Sequence, residues 1–114
     1  MHEMSIARNI VEIVDDVIRG APEARVDRVY ISIGRLVGVV HDSLRFAFNA
    51  ITSDTALAGA VLVIEEIPPR THCNACGRDA EVDSFAAECP HCGSRNVQFI
   101  AGNELLVREI EVLE

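Results

Sequence analysis

Tryptophan is absent from this 114-residue chain, lysine is absent, and tyrosine occurs once. With only four Phe besides, aromatic side chains are too few to build a core. The core must be aliphatic, drawn from Ile, Val, Leu and Ala. The missing lysine leaves ten basic residues, all Arg, against 18 acidic ones, a net charge of −8. That charge repels phosphate backbones and anionic membrane surfaces, which argues against nucleic-acid and membrane partners. No apolar run approaches the roughly eighteen residues that a membrane span needs. A glycine-rich phosphate loop, an HExxH pair and a nucleophile elbow are missing too, so the chain does not read as an enzyme. His41-Asp42 and Glu65-Glu66 come nearest to catalytic pairs; a helix cap and a solvated strand end explain them more simply. The start, MHEMSIARNI, carries acidic Glu3 where a signal peptide would be basic. A cytoplasmic protein is expected, and thiols there stay reduced. Its four cysteines therefore suggest metal before disulfide.

Nearly half the residues are apolar, enough for one modest core. Ile6, Ile10, Ile13, Val14 and Val17 draw one face of a helix over residues 4–19. Ser5 or Glu3 starts it; Gly20 and Pro22 stop it. Val29, Ile31 and Ile33 alternate with Tyr30 and Ser32 in a half-buried strand, and Gly34 and Gly38 punctuate the turn after it. Asp42 and Ser43 are suited to cap a second helix, whose apolar stripe is Leu44, Ala47, Phe48 and Ile51. Gly59 opens a second strand, 60–67, ended by Pro68-Pro69. After Gly102 comes a third, with Leu106, Arg108, Ile110 and Val112 facing opposite to Leu105, Val107, Glu109 and Glu111. The expected fold is α+β: two helices packed on a small three-stranded sheet, with an inserted four-cysteine zinc ribbon. Residues 1–67 plus 99–114 would form the main domain, and 68–98 the insertion.

The insertion holds Cys73-Asn-Ala-Cys76, twelve residues, then Cys89-Pro-His-Cys92. Each CxxC folds as a tight turn that aims two thiolates at one point, and Gly77 and Gly93 follow where positive φ is easy to adopt. Four thiolates close a tetrahedron around zinc and leave no open position, which makes the site structural. About thirty residues cannot bury a stable core alone. Zinc contributes about 10–16 kcal/mol of apparent binding energy in such modules. Two disulfides or a redox pair fit the paired knuckles less well, and four-thiolate sites also accept iron. His72 and His91 flank the knuckles, either as exposed neighbours of a filled site or as an outer shell or alternative ligand.

At the other end, His2 follows Met1. A lone terminal histidine is usually a solvated one. Yet an α-amine, an imidazole one residue later and ionisable backbone amides offer several nitrogens in short chelate rings, a set that suits planar nickel(II).

The start Met1-His2-Glu3-Met4-Ser5, the cysteine spacing, Cys89-Pro-His-Cys92-Gly93-Ser94 and the ending Gly102-Asn-Glu-Leu-Leu-Val-Arg-Glu-Ile-Glu-Val resemble the HypA/HybF hydrogenase maturation factors. Asp42-Ser-Leu-Arg-Phe-Ala-Phe before Gly59-Ala-Val-Leu fits as well, so the resemblance spans essentially the whole chain. It implies a nickel metallochaperone that delivers Ni(II) to the large subunit of NiFe-hydrogenase, working with a HypB-type GTPase. It places nickel at Met1, His2 and Glu3. His2 would be the essential side-chain ligand, with the amine or amides completing the set. The Glu3 carboxylate would orient the site or meet the partner. Zinc would stay at Cys73, Cys76, Cys89 and Cys92 as a structural cofactor, with nickel as transient cargo. The chain would be a monomer or weak homodimer. Beyond His2, His41, His72 and His91 are the remaining candidates for an imidazole ligand.

The alternative is a zinc-ribbon adaptor for protein or nucleic acid with no nickel role. Against nucleic acid, residues 70–97 set Arg70, Arg78 and Arg95 against Asp79, Glu81, Asp83 and Glu88 and hold one aromatic, Phe85. Neither a basic groove nor a stacking platform results.

Overall fold

The computed structural model describes residues 2–83 and 88–113. Met1, expected as a nickel ligand, and Phe85 lie outside the described residues. The architecture is α+β, with two helices, two three-stranded sheets and a four-cysteine cluster. The chain divides into two compact units. One comprises Met1–Ser32, Val39–Glu65 and Leu106–Glu114; the other comprises Ile33–Gly38 and Glu66–Leu105.

In the first unit, helix α1 (Glu3–Ile18) packs against helix α2 (His41–Thr52). Ile6, Ala7, Ile10 and Val14 of α1 are buried, and so are Leu44, Ala47, Phe48 and Thr52 of α2. Ile13 and Val17, expected on the buried face of α1, point to solvent, and Val17 is 64% exposed. The buried stripe follows the tight spacing 6, 7, 10, 14, which leaves 13 and 17 at its outer edge. Strands β1 (Arg25–Gly34), β2 (Val61–Ile67) and β6 (Leu105–Leu113) form the first sheet in the order β2-β1-β6. Val26, Val29 and Ile31 of β1 and Leu62 of β2 complete an aliphatic core whose one buried aromatic, among the described residues, is Phe48.

Phe48 is fully buried, whereas Phe46, two residues away, is 76% exposed. Removing a buried phenyl ring leaves a cavity that the surroundings fill only in part. Phe48→Ala is expected to lower unfolding free energy by about 3–5 kcal/mol. Phe46→Ala should stay within about 0.5 kcal/mol of the parent. Urea denaturation followed at the helical signal checks both.

Helix α1 starts at Glu3, one of the two starts expected, whereas α2 is capped differently from expectation. The N-cap of α1 is His2, with no side-chain cap bond, and its carbonyl accepts from the amides of Ser5 and Ile6 at 3.1 and 3.3 Å. Helix α2 starts at His41 with Val40 at the N-cap, so neither Asp42 nor Ser43 caps it. Asp42 lies in the first turn instead, where a carboxylate complements the positive end of the helix.

Side chains tie the last strand to β1: Arg108 donates to Ser32 Oγ at 3.2 Å, and Tyr30 donates to Glu111. The Glu65-Glu66 strand end is not merely solvated. Glu65 accepts from Ser32 Oγ at 3.1 Å and Glu66 from Arg35 Nε at 2.9 Å.

In the second unit, strands β3 (Arg70–Cys73), β4 (Asp79–Glu81) and β5 (Val97–Ala101) pair antiparallel in the order β4-β3-β5. The sequence carries no periodic signal for these three. Residues 33–38 join this unit through hydrogen bonds from Gly34 N to Glu104 O and from Leu36 N to Gly102 O, both 2.8 Å. Gly34 has φ −71° and ψ 141°, a conformation any residue adopts. Its requirement is room, since a Cβ there would stand 1.9 Å from the Gly102 carbonyl oxygen. Gly34→Ala must push two backbones apart. It is expected to cost about 1–3 kcal/mol in urea denaturation, as overpacking does.

Candidate metal centres

The four cysteines are held by two knuckles with the same backbone plan. In the first, Cys73 N donates to Arg78 O at 2.9 Å and Gly77 N donates to Cys73 O at 2.8 Å. In the second, Cys89 N donates to Ser94 O at 2.9 Å and Gly93 N donates to Cys89 O at 2.8 Å. Gly77 and Gly93 take φ of 78° and 77°, the left-handed region that a side chain would strain. The repeated plan delivers two sulfurs from each turn to one place. All four Sγ atoms lie within 4.8 Å of one another. Cys73 to Cys92 and Cys76 to Cys89 are each 3.6 Å. A tetrahedral site with Zn–S bonds of about 2.3 Å sets its sulfurs about 3.8 Å apart, so the cluster fits such an ion.

The electrostatics of the cluster also favour a cation. The Cys76 amide, 3.4 Å from Cys73 Sγ, chiefly holds that thiol down at about 7. Cys92 is pushed up to about 11: the Ser94 amide draws it down, but the Cys73 thiol, burial and the other cysteines outweigh it. Four thiolates this close repel one another unless a cation sits among them. Cys73 and Cys89 are buried, Cys76 and Cys92 exposed.

His72, expected beside the site, lies on β3 opposite Asp79 of β4, and its Nδ1 meets Asp79 Oδ1 at 2.6 Å. His91 is exposed within the second knuckle. Two further contacts support the knuckles. Asn74, inside the first CxxC, is tied to Asn96 by backbone (2.9 Å) and by side chain (3.2 Å). Glu88 and Arg95 bracket the second knuckle with a 3.3 Å ion pair. Sequence offers no signal for either, because one is an amide pair 22 residues apart and the other an ordinary surface pair.

The N-terminal candidates belong to the first unit. His2 is extended, with φ −82° and ψ 133°, and exposed. Glu3 is the first residue of α1, and its Oε2 accepts from the amide of Val40 at 3.3 Å, 37 residues along the chain. The start of α1 is thereby fastened to the start of α2, where His41 is half-buried.

Comparison with known proteins gives a consistent picture. The family described as "Hydrogenase/urease nickel incorporation, metallochaperone, hypA" matches residues 1–112. Hydrogenase maturation factor HypA of Geobacter metallireducens is 45% identical over 112 residues, covering 98% of this chain and 99% of that protein. HypA of Chlorobium limicola is 44% identical over 114 residues, covering 100% and 98%. The fold matches the solution structure of the Ni metallochaperone HypA from Helicobacter pylori with a TM-score of 0.69 at 21% identity, covering 99% and 98% of the two chains. A second solution structure of a HypA protein gives a TM-score of 0.74 at 22% identity, covering 99% and 97%. With whole-length matches to relatives and to the family alike, this chain belongs to the HypA family of hydrogenase/urease nickel-incorporation metallochaperones.

Proposed function

We propose that this chain carries nickel as transient cargo at Met1, His2 and Glu3, and keeps zinc as a resident ion at Cys73, Cys76, Cys89 and Cys92. The observation that carries the reading is the state of the N-terminal segment. His2 stands just outside α1 with an exposed imidazole and an extended backbone. The first amides of a helix have no intrahelical acceptor, which supports the Glu3 amide, at the first position of α1, as a nickel ligand. The Glu3 carboxylate is spoken for by the Val40 amide, which supports an orienting role, with the Glu3 amide as the ligand. A planar nitrogen set of this kind suits nickel(II) rather than zinc. The four-thiolate cluster suits the opposite task, since it leaves no open position for exchange.

On this reading residues 1–67 plus 99–114 bind and release nickel, and 68–98 form the zinc ribbon. His72, paired with Asp79 next to ligand Cys73, acts in the outer shell of zinc or as an alternative ligand, as does His91. Delivery is to the large subunit of NiFe-hydrogenase, in the cytoplasm, with a HypB-type GTPase. Relatives that cover the whole chain are described as hydrogenase maturation factors, which supports this destination. Calorimetric nickel titration of untagged protein, wild type against His2→Ala, tests the reading. Undiminished nickel binding by His2→Ala would sink it.

A further inference from the structure

We infer that His41 is a second imidazole ligand for the nickel bound at the N-terminal segment, an inference that rests on the terminal nickel reading above. Three observations carry it. First, the Glu3–Val40 hydrogen bond, 3.3 Å long, joins residues that are the immediate neighbours of two histidines. His2 precedes Glu3 and His41 follows Val40, so each histidine Cα is one peptide step, about 3.8 Å, from the Cα of a bonded residue. Second, both histidines stand at helix starts. His2 is the N-cap of α1 and His41 is the first residue of α2. Helix packing inside one compact unit fixes where those two starts lie. Third, His41 is half-buried on a regular element, whereas His2 is exposed on a terminal segment. One imidazole is on the chain's end and the other on a firm base.

The chemistry suits a carrier. An amine, one imidazole and amide nitrogens fill a plane around nickel(II), and a further imidazole is a preferred donor for the same ion. A base-mounted imidazole holds the ion between deliveries. Its loss frees a coordination position at which an accepting protein enters, so exchange proceeds by one ligand replacing another. The Glu3 carboxylate then acts as a positioning group: by binding the Val40 amide it keeps the terminal segment beside His41.

The test is nickel(II) titration of the untagged full chain by calorimetry and visible absorption, with wild type, His2→Ala, His41→Ala and His41→Gln compared. Zinc content and helical signal are recorded for each as a check of fold. His41→Ala and His41→Gln are expected to bind one nickel at least about tenfold more weakly, the scale on which even outer-shell partners of a metal act. Their spectra should move toward that of a planar nitrogen site. In wild type, the ring resonances of His2 and His41 should both respond to one equivalent of nickel, while those of His72 and His91 do not. This last readout needs no variant and stands if a substitution harms the fold. If both His41 variants bind as wild type and the His41 ring is silent, while His2→Ala loses nickel, the inference is overturned and the terminal site stands. If nickel binding survives His2→Ala, the terminal site itself falls and this inference falls with it.

Discussion

Removing the metal from the cysteine cluster with a strong chelator is expected to unfold the second unit and to leave the helical unit folded. The second unit has almost nothing else to hold it. Its strands β3, β4 and β5 are four, three and five residues long. Among its described residues the buried ones are Ile33, Gly34, Pro69, Thr71, Cys73, Cys89 and Gly102. Two of these are the sulfurs' own carriers, and Ile33 is the one large aliphatic side chain among them. Burial contributes about 1.5–3 kcal/mol per large apolar side chain, and here there is one to count. A structural zinc contributes about 10–16 kcal/mol, on the scale of the whole stability of a domain. The helical unit keeps its own core of Ile6, Ile10, Val14, Val29, Ile31, Leu44, Phe48 and Leu57. In a backbone amide spectrum, the resonances of residues 70–101 should therefore collapse on chelation while those of α1 and α2 stay dispersed. Cys76→Ser, which removes one thiolate, should do the same at low free zinc. A ribbon that keeps its dispersed resonances without metal would show that the module folds on contacts alone.

What can be read from the sequence follows the strength of each signal. Helices α1 and α2 are legible because their apolar residues recur every three or four positions against a single core. The knuckles are legible because CxxC followed by Gly occurs twice and each occurrence dictates the same turn. The fold class follows from those two facts and from the three strands of the first sheet, which the sequence marks. The remaining features lack a local signal. Strands of three to five residues around four converging cysteines are too short to show apolar alternation. Gly34 reads as turn punctuation but is glycine because Gly102 crosses it.

The candidate nickel site divides in the same way. The Met-His-Glu start is a local pattern and is legible directly. The bond from Val40 to Glu3 spans 37 residues, and nothing in either segment announces it. That bond changes what Glu3 offers. A carboxylate with one oxygen held by an amide suits the positioning role proposed for Glu3. In the sequence His41-Asp42 reads as a helix cap, and the cap is Val40 instead.

His2→Ala is expected to abolish specific nickel binding, a loss of at least about a hundredfold in affinity or about 2.8 kcal/mol, while zinc content and stability stay as in wild type. The size of the effect follows from the chelate. In the proposed site the imidazole of His2 and the amides beside it would form short rings on one ion, with the side chain as anchor. Without it, nickel must displace amide protons with only the terminal amine to hold it in place. The indifference of zinc follows from the division of the chain, because His2 belongs to the helical unit and all four cysteines to the other. Stability should not change either, since the His2 side chain is exposed and makes no cap bond to α1, and surface substitutions of that kind stay within about 0.5 kcal/mol. Residues appended before Met1 should weaken nickel in the same manner by converting the α-amine to an amide, with His2 intact. Agreement between the two perturbations assigns both nitrogens to one site. An extended chain that binds nickel as tightly as the untagged one would remove the amine from the ligand set and leave His2 to act with backbone amides and His41.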